Sequence, residues 1–259
     1  IKEYYKTWYV PNNMAICVSG DFDPDQMITT IHRHFGDMQP NPNLPALPVT
    51  TETPITAPIV REVLGPDAES VAIGWRFPGI ATKDFETLTI LSRILYNGKA
   101  GLIDLDLNQQ QKVLGASVYA SGMTDYSFLM AQARPKANQT LEQVKDLILA
   151  EVEKLKAGDF DEKMLQATIN NFKLTEMYQL ERNWARADMF VSAFIHGVDW
   201  KNKVTSMDRM SAITKADVVA FANNYLKDNY AVIYKKQGKD PNEKKMDKPS
   251  ITPIVMNRD

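Results

Sequence analysis

One cysteine, three histidines and no long apolar run among 259 residues each remove a class of protein. The lone Cys17 cannot close an internal disulfide, and its place in the run Met14-Ala15-Ile16-Cys17-Val18 reads as a buried, inert thiol in a short strand, leaving the redox compartment open. No window holds the 18 or more apolar residues of a membrane span, and Ile1-Lys2-Glu3-Tyr4-Tyr5-Lys6 lacks the apolar core of a signal peptide. Neither sign of charge dominates: 30 Lys and Arg face 32 Asp and Glu, for a net charge of −2 and a pI near 6.0, which excludes a strongly basic nucleic-acid binder. What remains, 44% apolar and 24% charged residues, is ordinary globular composition with enough length for a sizeable core in one large or two small domains. The chain opens on a charged, aromatic helix without an initiating Met, as a processed product or a piece of a longer polypeptide would.

Local signals divide the chain. Pro11-Asn12-Asn13 marks a turn, Met14 to Ser19 a short strand closed by Gly20, and Asp23-Pro24-Asp25-Gln26 the start of a helix from about Pro24 to Phe35, stopped at Gly36. Six prolines between Gln39 and Pro58 forbid helix and read as an extended linker over 41–58. Beyond it come strands Ile59 to Leu64 and Val71 to Phe77, then a helix from Asp84 with Leu88, Leu91, Ile94 and Leu95 on one face. A short helix from Leu102 to Gln111 precedes a hairpin of Gly115 to Ser121 and Ser127 to Ala133. Thr140 caps a helix ending at Gly158, Asp161 a long one reaching about Ile195, and Thr214 a last one before the strand Tyr230 to Tyr234. Strands and helices in blocks predict an α+β fold, a mostly antiparallel sheet with helices on one face.

Motifs that carry chemistry are few. His32 and His34 lie two apart on a predicted helix, roughly 200° around its axis, and cannot share an ion as an i, i+4 pair does. His196 precedes Gly197 at a helix end, where a cation suits the dipole. Asp21, Asp23 and Asp25 mimic the first ligands of a calcium loop, yet Gln26 and His32 stand where that loop needs Gly and Glu; capping accounts for Asp23. There is no G-x-S-x-G, Walker loop, dinucleotide fingerprint, H-x-x-E-H in either order or cysteine pair. Met123, Met130, Met164, Met177, Met189, Met207 and Met210 fall at core-like spacing and read as gap fillers. The chain therefore offers no catalytic and no metal-ligating residue, and its substrate-binding residues are unknown.

Taken in order, several segments carry a resemblance. Tyr4-Tyr5-Lys6 through Tyr9-Val10-Pro11-Asn12-Asn13-Met14, then Val18-Ser19-Gly20-Asp21-Phe22-Asp23 and His34-Phe35-Gly36, resemble the opening of the second half of an insulinase or pitrilysin family zinc peptidase domain. The likeness continues through Ile90 to Leu95, Gly101-Leu102, Val113 to Ala116, the helix pair around Gly158 and Tyr230 to Lys236, and so covers essentially the whole chain. The resemblance implies a mitochondrial-processing-peptidase/LuxS-like metallohydrolase fold built as paired α+β halves around a chamber that admits unfolded peptides. It also implies zinc held by H-x-x-E-H and a later glutamate in the preceding half, so that zinc belongs to the full-length protein and this chain alone is inactive. The family's substrate-binding Arg and Tyr would fall in Leu107 to Ala116, where Asn108 or Gln109 replaces the Arg and Ala116 the Tyr.

That departure assigns the chain to the companion, non-catalytic half of a catalytic lobe. Residues 1–40 are then the closing strand and helix of the preceding half, 41–58 the linker, 59–236 the companion domain, and 237–259 an extended connector to a further lobe. The implied partners are a peptide or unfolded polypeptide, the upstream catalytic half and a second homologous lobe, with no nucleic acid. By resemblance alone the tandem arrangement points to the bacterial periplasm or cell envelope, the compartment itself being left open. Two alternatives stand beside this reading: a catalytically inactive polypeptide-binding or scaffolding subunit of the same family, and an unrelated α+β scaffold.

Overall fold

A computed structural model describes residues 1–49, 51–241 and 250. Five strands form one sheet in the order β1-β5-β2-β4-β3: β1 (Ile59–Gly65), β2 (Ser70–Pro78), β3 (Gly115–Gly122), β4 (Tyr126–Arg134) and β5 (Tyr230–Gln237). Three of its four pairings are antiparallel, and β1 runs parallel to β5, its one neighbour. The chain thus returns at its fifth strand to fill the gap between the first two. The expected hairpin is the pair β3 and β4, in the register Gly122↔Ser127 to Gly115↔Arg134.

Period-two alternation decides which face is covered. Val71, Ile73, Trp75 and Phe77 of β2 and Leu129, Ala131 and Ala133 of β4 are buried, while their alternates are more accessible. Onto that face pack α3 (Lys83–Leu95), α4 (Leu141–Ala157) and α9 (Lys215–Tyr225), which bury Leu88, Ile90, Leu91, Ile94, Leu95, Val144, Ile148, Val152, Leu155, Val218 and Ala222. Phe77 stacks on Phe221 and meets Tyr225, whose hydroxyl donates to Asp84 Oδ2; burial first, and that carboxylate second, push the phenol up to about 12. Capping chemistry sets the helix ends as read: Thr140 and Gln143 form a capping box on α4, Thr214 and Asp217 another on α9, and Gly158 ends α4 at φ 72°, a left-handed conformation glycine adopts freely. A second glycine is required at 79, where a Cβ would lie 2.0 Å from the carbonyl oxygen of Thr124.

Four expectations fail. Residues 14–19 form no strand: no strand lies beside them, and Met14, Ile16 and Val18 are exposed. Cys17 is accordingly half-buried rather than deep in a core. The long helix from Asp161 is two, α5 (Glu162–Leu180) and α6 (Asn183–Ile195), because Arg182 turns extended at φ −101°, ψ 123°, and the Arg186 guanidinium takes up the freed Leu180 carbonyl, also reaching Asn183 and Ser19 Oγ. Neither Gly nor Pro marks that break. Two short helices, α7 (Trp200–Val204) and α8 (Ser206–Ala212), follow unforeseen. Among the methionines read as gap fillers Met210 is buried, but Met123 and Met177 are exposed.

Near the start, α1 (Lys2–Trp8) and α2 (Pro24–Phe35) bury no residue. Asp23 caps α2 through the amide of Gln26, 2.9 Å away. The described linker residues form neither helix nor strand; Asn41 pairs with Asn12, and the amide of Glu52 donates to the Tyr126 hydroxyl. Most of the expected connector lies outside the described residues, and its first residue, Gln237, belongs to β5.

Candidate functional site

The stretch between α3 and β3, where the family's Arg and Tyr would fall, is a closed joint. Asp104 lies in a π-helical turn, Asp104–Asn108, and is buried. Its Oδ2 accepts from the amides of Asn97, Gly98 and Gly101 at 2.9–3.0 Å, so one carboxylate oxygen fixes the whole 97–101 loop. The Asn108 side chain donates to the Ala116 carbonyl at 2.9 Å and accepts from the Ala116 amide at 2.8 Å, acting as a short strand beside β3. Gln109 donates to the Lys99 carbonyl at 2.9 Å, and Ala116 is buried under the helices. Both polar atoms of Asn108 are thus held by backbone, which fixes the amide against β3.

Next to this joint lies a charge cluster that periodicity hints at. Glu151 shares the apolar stripe of α4 with Ile148, Val152 and Leu155, and is 3% exposed. Lys154 Nζ lies 3.0 Å from Glu151 Oε1 and 2.6 Å from Asp106 Oδ2, while Glu151 Oε2 is buried without a hydrogen-bond partner. Burial, with the Asp106 charge, holds the Glu151 carboxyl above the ordinary range; the Lys154 ammonium holds Asp106 below it and is itself raised by Asp106. An acid on a buried helix stripe is the signal that reading for amphipathicity passes over.

A third feature is a cleft of about 380 Å³ between the start of α3, the end of α6 and α8. At its edge Arg209 grips Glu86 with both arms of its guanidinium, Nε to Oε2 at 3.0 Å, and also donates to Thr205 Oγ1 and the Asn202 carbonyl. That carboxylate raises Arg209 further above its ordinary value. His196 lines the same cleft, its Nδ1 3.4 Å from Thr124 Oγ1. Residues 86 and 209 lie 123 apart in sequence, and no local pattern joins them.

The remaining candidates do not converge. His32 and His34 stand exposed on α2, whereas His196 follows α6. Among the described residues no three His, Cys, Asp or Glu side chains come together as a metal centre would need. A catalytic zinc needs three converging protein ligands, so the described residues do not fit one. Among the same residues no helix is long and apolar enough to cross a membrane.

Known proteins share this architecture. A protease from Helicobacter pylori superposes with a TM-score of 0.85 at 23% identity, covering 91% of this chain and 58% of that one. A peptidase M16 inactive domain from Pseudomonas fluorescens superposes at 0.70 with 13% identity, covering 85% and 52%. These likenesses define the class as an α+β domain of one shared fold. Residues 1–172 match the Peptidase M16 inactive domain, and the chain belongs to that family. In sequence it is similar to the zinc protease PqqE of Helicobacter pylori, 25% identical over 236 residues, which cover 88% of this chain and 52% of that relative. The chain spans about half the length of that curated relative. It is a non-catalytic domain of an M16 protease-like protein.

Proposed function

We propose that this domain is the chamber-forming companion half of a zinc-dependent endopeptidase, with the zinc ligands on a preceding half and a peptide or unfolded polypeptide as substrate. The observation that carries the reading is the surface of residues 1–40. Val10 is the one buried apolar residue there, while Tyr4, Tyr5, Met14, Ile16, Val18, Phe22, Ile28 and Phe35 are exposed. A segment in neither helix nor strand with Ile16 and Val18 bare, followed by an amphipathic helix, is what a strand-and-helix unit lacking the sheet it completes would present. That supports assigning 1–40 to the preceding half; with it go a linker over 41–58, the companion domain over 59–236 and a connector toward a further lobe over 237–259, except that Gln237 closes β5. The likeness to a relative named a zinc protease supports zinc in the full-length protein. In this reading the companion half walls the chamber and positions its partner, and its own residues move no proton in the reaction.

Co-production of this chain with the upstream half tests the proposal. The pair should hold about one equivalent of zinc, the number a single catalytic centre takes, and cleave a flexible peptide in a chelator-sensitive way; the chain alone should do neither. Stoichiometric zinc in the chain alone after dialysis against a mild chelator, or peptide cleavage by it, would show the active site to be misplaced. A zinc-free pair that binds peptide without cutting it would establish the scaffolding subunit instead.

A further inference from the structure

The cleft beside the Glu86–Arg209 pair has a chemistry that the domain's role as a wall does not use. Its floor is apolar, made by Phe85, Phe172, Ala193, Val198 and Met210, of which Ala193 and Met210 are buried. Its rim is cationic. Lys83 and Lys203 both line it, and among the described residues neither ammonium has a hydrogen bond or ion pair. The one acid in the lining, Glu86, is already neutralised by Arg209. Two acids nearby in sequence are engaged elsewhere: Asp84 takes the Tyr225 hydroxyl and Asp199 caps α7 through the Asn202 amide. The Ser192, Ser206 and Asn202 side chains also line the cleft with no protein partner among the described residues.

An apolar floor, two unpaired ammonium groups and three free hydroxyl or amide side chains match a ligand with one apolar group, one carboxylate and at least one peptide unit. A purely lipidic acid would leave the half-buried Ser192 and Ser206 hydroxyls facing hydrocarbon, which costs free energy. We infer that this cleft receives the C-terminal residue of a polypeptide, its apolar side chain on the floor and its α-carboxylate between Lys203 and Lys83. The choice of a peptide over other amphipathic acids rests on the reading of the domain as part of a peptidase. Chain ends released by cleavage, and the free ends of unfolded substrates, both present this group. An amidated end, or one closing in Asp or Glu, does not fit.

The 259-residue chain, labelled with ¹³C at its methionine methyls, reports directly because Met210 forms part of the floor. A fluorescein-tagged flexible decapeptide ending in Ala-Leu-Phe with a free carboxylate is titrated against its C-terminal amide, against the same peptide ending in Asp, and against dodecanoate. Expected is saturable anisotropy for the free acid, a Met210 methyl shift tracking it, and binding weaker by about tenfold for the amide and for Lys203→Ala, the scale of one charge-assisted hydrogen bond. Added salt should weaken the free acid more than the amide. Lys203 is half-buried on the surface, so the variant keeps its fold, and unchanged methyl positions for the other methionines check this. Equal binding of acid and amide, an unaffected Lys203→Ala, or shifts that spare Met210 would each overturn the assignment. So would dodecanoate binding where the peptide does not, which assigns the cleft to a fatty acid. Neither zinc nor the upstream half is present in this experiment. Its failure therefore leaves the endopeptidase reading standing, and failure of the zinc and cleavage test leaves a measured peptide site standing.

Discussion

Residues 1–40 and residues 59–237 obey the same local rules and end in opposite states. In both, helix starts carry the expected caps: Asp23 on α2, Thr140 on α4 and Thr214 on α9. Both contain β-type apolar runs. In the second region those runs find neighbours, and Val71, Ile73 and Leu129 vanish from solvent; in the first, Met14, Ile16 and Val18 find none and stay bare. Local chemistry starts an element, but only a second surface finishes it, because most helical and strand stability comes from tertiary packing.

The comparison breaks most decisively in the core. Phe77→Ala removes a buried ring stacked between β2 and α9 and should cost about 3–5 kcal/mol in urea unfolding, the range for aromatic truncation. Ile16→Ala, a change of similar kind at an exposed position, should stay within about 0.5 kcal/mol in this chain. Comparable losses at the two sites would mean that residues 1–40 already have a partner within the chain. If the proposed upstream half supplies that partner, Ile16→Ala should become costly in its presence, which sharpens the contrast.

Capping gives the next largest effect. Thr140→Ala dismantles the capping box of a helix that anchors the core, and should lower global stability by about 1 kcal/mol. Asp23→Ala removes an equally well-formed cap, yet should leave the global urea midpoint alone and speed amide hydrogen exchange only within α2. A shift of the global midpoint by Asp23→Ala would join α2 to the cooperative unit.

The smallest effect concerns pH and exists only in the packed region. Burial raises the Glu151 carboxyl, so the folded chain binds that proton more tightly than the unfolded one; the stability this gives is full below the unfolded value and is lost as pH rises through the folded one. Asp106, lowered by Lys154, works the other way and loses its contribution on acidification. The groups facing Glu151 are Asp106 and Lys154, with Lys112 acting on Asp106 from further off. Glu151→Gln should therefore raise the urea midpoint near neutral pH, with the gain shrinking toward pH 4, while Lys154 keeps Asp106. A gain that grows on acidification would refute this assignment.

Much of the second region was legible because its signals are local and redundant. The apolar spacing of α3 and α4, the two capping boxes, Gly158 and the β3–β4 hairpin each state their structure within a dozen residues. The break between α5 and α6 was not legible, since the signal is a guanidinium, Arg186, that reaches backward to Leu180 and across to Ser19. Nor was the edge of the cleft, whose Glu86 and Arg209 meet only in the folded chain. Position 108 shows the middle case. The resemblance led to an expectation that Asn108 or Gln109 stands where the family has Arg, but the use of an amide at 108, a two-way bond to the backbone of Ala116, was not foreseen.

The strand order has a consequence for how the chain is made. β5 is reached last of the five strands during synthesis, and it sits between β1 and β2. Until residues 230–237 have left the ribosome, β1 is without the parallel neighbour that holds it and β2 offers an open edge, so two hydrogen-bonding edges wait side by side for one segment. Such edges recruit whatever strand is nearest. The sheet is closed from within by its final strand, which joins β1 to the rest, and the interval before that closure is when the nascent domain exposes most strand edge.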